Sequence, residues 1–307
     1  MALGAGRGNY TPPAPVVALR GRLALIPALW ANTGDAILIP DDFDPDSALY
    51  HEEAEMKNIR FMRLGDICGA DLIAEPWGWN LSLRNALRRA GLRSPLPSDE
   101  YLATLRNLAH RRISRLFIQS WNEQRPDDEV ELPVECKSMA EFEEVWNRLG
   151  NLFIKAPYSS AGRGVMRTAG SAPETVRRWA AGCIRRQGSV MAEKEMPHAF
   201  DFASEWGCEK GEATFLGWSV FSTSPEGRYI NNNSGSQRIF EALIEAHTSI
   251  PVIDIVSVQK QILDRLIATH YHGLLGIDML ATSSGTVNPC VEINLRRTMG
   301  HLSLHSL

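Results

Sequence analysis

The sequence predicts a protein of mixed α/β and α+β class. It should contain a parallel α/β domain at its N-terminal end, a small α+β lobe in the middle and an antiparallel sheet at its C-terminal end. Three observations support this prediction. Strand-like and helix-like segments alternate over 22–97, which is typical of a parallel sheet covered by helices. Segment 152–168 has the pattern strand, small-residue turn, strand. Segments 202–220 and 278–294 each have the length of an antiparallel hairpin.

The N-terminal domain is predicted at 20–108, after a loose leader of Gly, Pro and Ala at 1–19. Short apolar runs predict buried strands. Asn80 is suited to cap a helix that ends near Gly91. The predicted strands are 22–30, 36–40 and 70–74, and the predicted helices are 46–58 and 80–91.

The central lobe is predicted at 109–188. Ser98 is suited to cap one long helix over 99–122, which enters this lobe and carries several arginines. A strand is predicted at 129–135, and two further helices follow capping-box patterns, in which a serine precedes a glutamate by three residues. These patterns are Ser138 with Glu141, before a helix to about 149, and Ser171 with Glu174, before a helix to about 188.

The C-terminal lobe is predicted at 189–307. Segments 202–206 and 215–220 alternate apolar and polar residues and are joined by a Glu-Lys-Gly-Glu turn, so they predict an antiparallel hairpin. Segment 231–238 is a polar loop of a size suited to substrate contact, or else an ordinary surface loop. A helix over 255–270 should pack on the sheet, and the hairpin 278–294 should complete it.

Composition excludes several classes of protein. The chain has 307 residues, of which 44% are hydrophobic and 22% charged, as in ordinary globular domains. Its net charge of −4 argues against a nucleic-acid partner, which requires a basic surface. No apolar run approaches the ~20 residues that cross a bilayer, so no membrane partner is expected.

The five cysteines predict neither a zinc site nor a disulfide framework. Their number is odd, their spacings are wide, and no Cys-x-x-Cys pair occurs. Reduced core cysteines are typical of cytoplasmic proteins, which is the predicted location.

A lysine-bearing strand and a glycine-containing turn predict an anion site. Lys155 lies near the end of the apolar strand 152–156, and the turn contains Ser159, Ser160, Gly162 and Gly164. Consecutive N–H groups in such a turn form an anion-binding concavity, and a nearby lysine supplies a point charge. The chain has 6 lysines against 26 arginines, which favours a functional role for a lysine that ends an apolar strand. The alternative is a common hairpin turn.

Three oxygen-bearing side chains converge on the last predicted hairpin. Asp278 and Glu292 lie on adjacent strands, and Asn294 shares the face of Glu292 because strand side chains repeat every two residues. Carboxylate and amide oxygens suit Mg²⁺, which keeps waters and nucleotide phosphates as its other ligands. The pattern predicts a metal–nucleotide site. The alternative is a hairpin with polar residues on its solvated face.

Together, and in this order, these segments resemble the ATP-grasp superfamily over roughly residues 100–300. The resemblance rests on the Lys155 strand, the Ser/Gly-rich flap, a strand that ends in the Glu-Lys-rich hinge 191–197, and a final motif. That motif is Gly-Ile-Asp278 followed by Glu292-Ile-Asn-Leu-Arg296. It implies an ATP-grasp fold with an N-terminal parallel α/β pre-ATP-grasp domain, a small α+β flap lobe and a C-terminal antiparallel-sheet lobe.

The resemblance also implies an activity. ATP-grasp enzymes of the ligase type join a carboxylate to an amine through an acyl phosphate, using ATP and Mg²⁺, with Mn²⁺ as an alternative. Arg296 would be the catalytic residue that stabilises the acyl phosphate or its oxyanion intermediate. The other implied roles are metal binding by Asp278, Glu292 and Asn294, phosphate binding by Lys155, Ser159, Ser160, Gly162 and Gly164, adenine binding by Glu193, Lys194 and Met196, and ribose binding by Asp201 or Glu205.

The sequence departs from the family pattern at one expected position. The family usually has a first phosphate-binding lysine in the region of the helix predicted at 99–122, but no lysine occurs between Lys57 and Lys137. Arg112 or Arg115 is a candidate substitute, and a solvated basic helix face is the alternative. The same fold also supports small-molecule kinases and non-catalytic nucleotide-binding regulatory modules. The expected partners are ATP and an unidentified carboxylate and amine, and a homodimer is the assembly considered.

Overall fold

A computed structural model of the chain describes residues 8, 12–46, 48–159, 164–224 and 229–305. The chain divides into two compact units, residues 2–102 and residues 103–307. The division falls inside the helix Asp99–Leu108, near the border expected at 108. Within the described ranges, no helix is both long enough and apolar enough to cross a lipid bilayer.

The first unit contains a small parallel sheet. Strand β1 pairs in parallel with strand β2, with Ala36 opposite Arg60. Asn80 caps the third helix as predicted, because its Oδ1 accepts a hydrogen bond from Leu83 N at 3.0 Å. The elements, in order, are α1 (Ala14–Arg22), β1 (Ala36–Leu38), α2 (His51–Met56), β2 (Arg60–Met62), α3 (Leu81–Arg89) and the first residues of α4 (Asp99–Leu108), with 3₁₀ turns at Ile26–Leu29 and Leu64–Ile67.

Two strand predictions in this unit were wrong. Segment 22–30 is a helix end followed by a 3₁₀ turn, and its apolar residues Leu25 and Ile26 are buried there. A short apolar run does not distinguish a buried strand from a buried turn, and Pro27 cannot donate to a strand ladder. Segment 70–74 is irregular, with Ile73 93% exposed. Helix α1 also occupies part of the segment expected to be a loose leader.

The second unit begins with a four-stranded antiparallel sheet and three helices. Its strand order is β3-β6-β4-β5, and β4 pairs with β5 on one side and β6 on the other. The apolar sides of two helices cover this sheet and form a core that includes Phe142, Ile154 and Val176. The elements are α5 (Arg112–Gln124), β3 (Val134–Cys136), α6 (Met139–Leu149), β4 (Leu152–Lys155), β5 (Val165–Arg167), α7 (Pro173–Gln187) and β6 (Val190–Lys194).

Several local predictions in this lobe need correction. The helix expected over 99–122 is interrupted at 109–111 and becomes α4 and α5. Strand β6 pairs with β3 and β4 and therefore belongs to the four-stranded sheet. Ser138 caps α6 by accepting from Glu141 N at 3.2 Å, as expected. Ser171 does not cap α7, because its Oγ donates instead to the carbonyl oxygen of Arg167 at 2.8 Å.

A five-stranded antiparallel sheet forms the rest of the second unit. Its order is β11-β10-β7-β8-β9, and the predicted hairpin turn at Lys210 and Gly211 has φ of 53° and 87°. Positive φ at both positions is the geometry of a tight hairpin turn. The elements are β7 (His198–Glu209), β8 (Glu212–Thr223), β9 (Tyr229–Asn232), α8 (Gln237–His247), α9 (Val252–Leu263, continued by a π-helical turn to Ala268), β10 (Gly273–Thr282), β11 (Val287–Asn294) and α10 (Met299–His305).

The two faces of the five-stranded sheet have different partners. On one face Ser204 and its neighbours are buried beneath α8 and α9, and the Ser204 hydroxyl donates to Gln259 Oε1 at 2.8 Å. The other face carries Asp278, which lies between Ala203 on β7 and Glu292 on β11. We call this second face the polar face. Helix α10 lies over the part of it that contains Glu205.

Candidate functional site

Arg111 lies at the centre of a polar cluster in the second unit. It is the last residue before α5, and its backbone N–H donates to the carbonyl oxygen of Pro157 at 3.2 Å. Its side chain is buried, and Nη2 donates to Glu292 Oε2 at 2.8 Å and to Ser159 Oγ at 3.0 Å. Arg111 therefore connects the loop after β4 to the hairpin of the five-stranded sheet.

Neighbouring carboxylates stabilise the positive charge of Arg111. Burial alone lowers the pKa of Arg111, but the charges of Glu292 and Glu193 outweigh this effect and raise that pKa above its ordinary value. The Nε atom of Arg111 is buried and has no hydrogen-bond partner among the residues that the structure describes. A buried donor without a partner is costly, so this N–H is suited to an anionic ligand.

Lys155 and Glu193 form an ion pair on adjacent strands of the small sheet. Lys155 ends β4 and is 6% exposed, and its Nζ donates to Glu193 Oε2 on β6. An ammonium group has three donors, so one carboxylate does not exhaust its capacity for an anion. Lys194, which follows Glu193, is exposed, and Met196 is half-buried at the end of this strand.

The turn after β4 is closed tightly at its two described ends. Ala156 N donates to the carbonyl oxygen of Gly164 at 2.8 Å. A Cβ atom on Gly164 would lie 2.2 Å from Ser159 Cβ, so only glycine fits this approach. Ser160 and Gly162, the other predicted phosphate-loop residues, lie outside the described residues.

The predicted metal-binding residues lie together on the polar face. Asp278 and Glu292 are direct cross-strand partners. Asn294 Nδ2 donates to Asp278 Oδ2 at 3.1 Å, and Asn294 Oδ1 accepts from Arg296 Nη2 at 2.8 Å. An amide oxygen has two lone pairs, so Asn294 Oδ1 keeps one for a metal ion while it accepts from Arg296. The structure therefore unites all four residues in one connected cluster.

The electrostatics of this cluster suit a cation. Burial, followed by the charges of Glu292 and Glu205, raises the pKa of Asp278 to about 7, while Arg296 and Asn294 act in the opposite direction. A divalent cation at this position would favour the ionised form of Asp278. Among the described residues, no group of three His, Cys, Asp or Glu side chains is arranged to hold a metal. The two carboxylates and one amide fit Mg²⁺, which commonly takes its remaining ligands from phosphates and water.

Comparison with known proteins identifies the fold. No protein-family model and no curated protein sequence matches the chain. Solved structures do match. An N5-carboxyaminoimidazole synthetase from Staphylococcus aureus, complexed with ADP, is 12% identical, with a TM-score of 0.51 over 90% of this chain and 67% of that chain. The biotin carboxylase domain of a 2-oxoglutarate carboxylase from Hydrogenobacter thermophilus, in complex with MgADP and bicarbonate, is 14% identical, with a TM-score of 0.51 over 94% and 66%.

These structural neighbours are ATP-grasp enzymes. The chain has the ATP-grasp fold. The fold predicted from the four sequence elements is therefore confirmed. A third structure, an ADP complex of N5-carboxyaminoimidazole ribonucleotide synthetase, is 15% identical, with a TM-score of 0.50 over 90% of this chain and 67% of that one. The chain thus spans about two thirds of the length of these ATP-grasp structures.

The cluster also contains a residue that sequence reasoning missed. Arg111, and neither Arg112 nor Arg115, reaches the polar cluster of the ATP-grasp fold. Arg115 instead donates to the carbonyl oxygen of Pro133 at 2.6 Å, and Arg112 is half-buried on α5. The sequence did contain one indication of it. Large apolar residues recur every three residues up to Leu108, but the next one, Ile113, follows five residues later, and this change in spacing marks the break between two helices.

The two ribose candidates have different environments in this ATP-grasp fold. Asp201 accepts from Thr223 Oγ1 at 2.6 Å and lies 2.9 Å from His198 Nε2, which is partly exposed. The hydrogen bond that His198 donates to Asp201 raises the pKa of His198 and outweighs the effect of its partial burial. Glu205 is 1% exposed and enclosed by protein groups on β8 and α10. Glu205 is therefore inaccessible to a ribose, and that expectation for Glu205 was wrong.

Replacing Arg111 by methionine should destabilise the protein. The change removes the positive charge between Glu292 and Glu193, and breaking a buried ion pair costs a few kcal/mol, which we reduce to about 2 kcal/mol because Glu292 is partly exposed. Urea unfolding would measure the change in the free energy of unfolding. Arg112→Met is the matched control and should alter it by about 0.5 kcal/mol or less. If the two substitutions lowered the free energy of unfolding equally, the buried ion pair of Arg111 would not be a main source of stability.

The raised pKa of Asp278 predicts how pH affects stability. Its pKa in the folded protein is about 7 against an ordinary 3.8, so the folded state binds this proton more tightly than the unfolded state. This contribution to stability is complete below about pH 4 and is lost as pH rises through about 7. Mg²⁺ requires the ionised carboxylate, so adding Mg²⁺ should raise Tm at about pH 8 and have little effect at about pH 5.5.

Thermal unfolding with and without Mg²⁺ across this range tests the assignment. Asp278→Asn should remove the pH dependence that comes from Asp278 and the Mg²⁺ response together, because the amide neither titrates nor carries charge. A Mg²⁺-induced rise in Tm that persists in this variant would contradict the assignment of Asp278 to the metal site.

Proposed function

We propose that the protein is an ATP- and Mg²⁺-dependent ligase that joins a carboxylate to an amine through an acyl-phosphate intermediate. The observation that carries this proposal is the position of Arg111, which donates to Glu292 on the polar face and is also within reach of the charges of Asp278 on that face and of Glu193, the partner of Lys155, on the small sheet. Alternating cations and carboxylates at one site suit a triphosphate and its metal ion. The ATP-grasp fold supports the same assignment.

Three groups of residues would bind the nucleotide. Lys155 would contact the α and β phosphates, and the turn that contains Ser159 and Gly164 would cover the outer phosphates, together with Ser160 and Gly162. Arg111 would supply the second phosphate-binding cation, because its buried Nε lacks a partner among the described groups. The hinge at Glu193, Lys194 and Met196 would present backbone groups to the adenine, and Asp201 would reach the ribose.

Asp278, Glu292 and Asn294 would hold Mg²⁺, with Mn²⁺ as an alternative. A bound divalent ion neutralises charge on the transferred phosphoryl group. In the first step a carboxylate oxygen of the substrate would attack the γ-phosphorus of ATP, and the bond to ADP would break. In the second, the amine would attack the acyl carbon and expel inorganic phosphate, with loss of one proton. Arg296 would stabilise the oxyanion that forms during this attack.

The cellular location and the oligomeric state, like the carboxylate and amine substrates, are proposals. All five cysteines are free, which supports the predicted cytoplasmic location. Neither a nucleic acid nor a membrane is proposed as a partner. A homodimer is the assembly considered.

A panel of carboxylic acids and amines, offered singly and in pairs with Mg·ATP, tests the proposed reaction. We expect release of ADP and phosphate only when an acid and an amine are both present, and ¹⁸O from the labelled carboxylate should appear in the released phosphate. Release of ADP without phosphate in the presence of an alcohol would indicate a kinase. Tight ATP binding without turnover across the panel would indicate a regulatory module. Either result would overturn the ligase assignment.

A further inference from the structure

A buried polar cluster lies behind the proposed catalytic centre. Glu205 on β7 is 1% exposed, and its Oε1 accepts from Ser219 Oγ at 2.9 Å. Its Oε2 accepts from Thr298 Oγ1 at 2.8 Å and lies 2.9 Å from His301 Nδ1. Thr298 and His301 are also buried. A polar side chain so deeply enclosed is costly unless its hydrogen bonds are satisfied.

Two glycines make room for this cluster. A Cβ atom on Gly276 would lie 2.7 Å from Glu205 Oε2 and 2.8 Å from Thr298 Cγ2. A Cβ atom on Gly300 would lie 1.8 Å from Glu205 Oε1. Gly276 is the glycine of the Gly-Ile-Asp278 motif, and it is the cross-strand partner of Asn294. The glycine of that motif therefore accommodates Glu205 and Thr298 directly beside the proposed metal site.

The cluster anchors the segment that carries Arg296. This segment, 295–298, leaves the sheet after Asn294 and turns over the polar face into α10. At one end the Arg296 side chain donates to Asn294 Oδ1 at 2.8 Å and to the carbonyl oxygen of Arg297 at 3.1 Å. At the other end the hydroxyl of Thr298 donates to Glu205. Thr298 also bonds His301, since Thr298 N donates to His301 Nδ1 at 3.2 Å and His301 N donates to Thr298 Oγ1 at 3.2 Å. The backbone position of Arg296 is thus set between strand β11 and the buried cluster of Glu205, Thr298 and His301.

We propose that Thr298 and Glu205 are positioning residues for Arg296. The hydrogen bond between them fixes segment 295–298 over the polar face, so that the Arg296 guanidinium is held where it acts on the acyl group. This inference rests on the proposed function. It adds to that function a buried hydrogen bond that touches neither ATP nor metal but controls the chemical step.

Thr298→Val and Thr298→Ser form a matched pair of tests. Valine has the shape of threonine but lacks the hydroxyl, whereas serine keeps it. Thr298→Val should lower kcat about 10- to 100-fold, because small displacements of catalytic groups have effects of this size. The KM for ATP should change less than about twofold, since the bond is formed away from the nucleotide. Thr298→Ser should recover most of the lost turnover.

A double-mutant cycle separates positioning from general destabilisation. In an Arg296→Ala background, Thr298→Val should reduce turnover no further, because the residue it positions is absent. Equal reductions in both backgrounds would overturn the proposal. Ser204→Ala is the control, because it removes a buried hydroxyl from the opposite face of the same sheet. It should lower stability without lowering kcat.

A second measurement does not depend on turnover. The heteronuclear NOE of the Arg296 Nε–H group, assigned by its loss in Arg296→Lys, should be that of an ordered side chain in the parent protein and in Thr298→Ser. It should fall in Thr298→Val. An unchanged NOE in Thr298→Val would overturn the proposal even if the enzyme is active. If the NOE pattern is as expected but the parent protein has no ligase activity, the proposed function is excluded and the positioning role of Thr298 and Glu205 is retained.

Discussion

Glu292→Gln is expected to reduce Mg²⁺-dependent ADP formation by about 1000-fold or more, because a metal ion supplies several kcal/mol of charge stabilisation to phosphoryl transfer. Glutamine has the size of glutamate, and its side-chain oxygen can still accept the hydrogen bond that Arg111 donates to Glu292. We therefore expect the fold to persist. The loss should come from a weakened metal site, since Mg²⁺ dehydrates reluctantly and depends on charged ligands.

Two measurements separate these effects. Circular dichroism and urea unfolding should show a folded variant, and Mg²⁺ titration in the presence of ADP should show weakened metal binding. Glu143→Gln is the control, because Glu143 on α6 also pairs with an arginine, Arg177, at 2.7 Å. It removes one equivalent charge and should leave turnover near the parental value. An unchanged Mg²⁺ dependence in Glu292→Gln would contradict the metal assignment.

The parts of the fold that the sequence predicted well are those with strong periodic or turn signals. The hairpin around Lys210 and Gly211 was correct because its turn needs positive φ and its strands alternate. The 14 residues from Asp278 to Glu292 predicted a hairpin with the two residues on adjacent strands, and in the structure they are direct cross-strand partners. Segments 22–30 and 70–74 were wrong because short apolar runs carry no periodicity that separates strand from turn.

The candidate site was predicted where its residues belong to local motifs and missed where it depends on distant contacts. Asp278, Asn294 and Arg296 share one hairpin, and the structure joins their side chains. Arg111 contacts Glu292, which lies 181 residues away in sequence. The change in apolar spacing between Leu108 and Ile113 was the local feature that could have indicated Arg111. The burial of Glu205 depends on two glycines from other elements, Gly276 and Gly300. No local pattern around Glu205 distinguishes it from Asp201.

Arg296→Ala is expected to depress turnover by about 100- to 1000-fold while leaving ATP affinity nearly unchanged, as is found when an oxyanion-stabilising donor is removed. Arg296 lies two residues beyond Asn294, and its guanidinium is held by Asn294 Oδ1 and the carbonyl oxygen of Arg297. Its contacts place it beside the proposed metal site and not in the small lobe. An interaction formed mainly in the transition state lowers kcat without changing ground-state binding.

Lys155→Ala should have the opposite pattern, and the comparison tests both roles. Lys155 is buried beside Glu193 at the end of the strand that leads into the proposed phosphate-binding turn. Its loss should raise the Kd for ATP about 10-fold or more, because it removes a charge-assisted hydrogen bond to phosphate. ATP titration of both variants, followed by single-turnover ADP formation at saturating ATP, separates binding from chemistry. If Arg296 formed only a surface ion pair, worth ~0–1 kcal/mol, its removal would change neither the Kd for ATP nor the rate of ADP formation appreciably. Normal turnover in Arg296→Ala would exclude its catalytic role, and normal ATP affinity in Lys155→Ala would exclude Lys155 from phosphate binding.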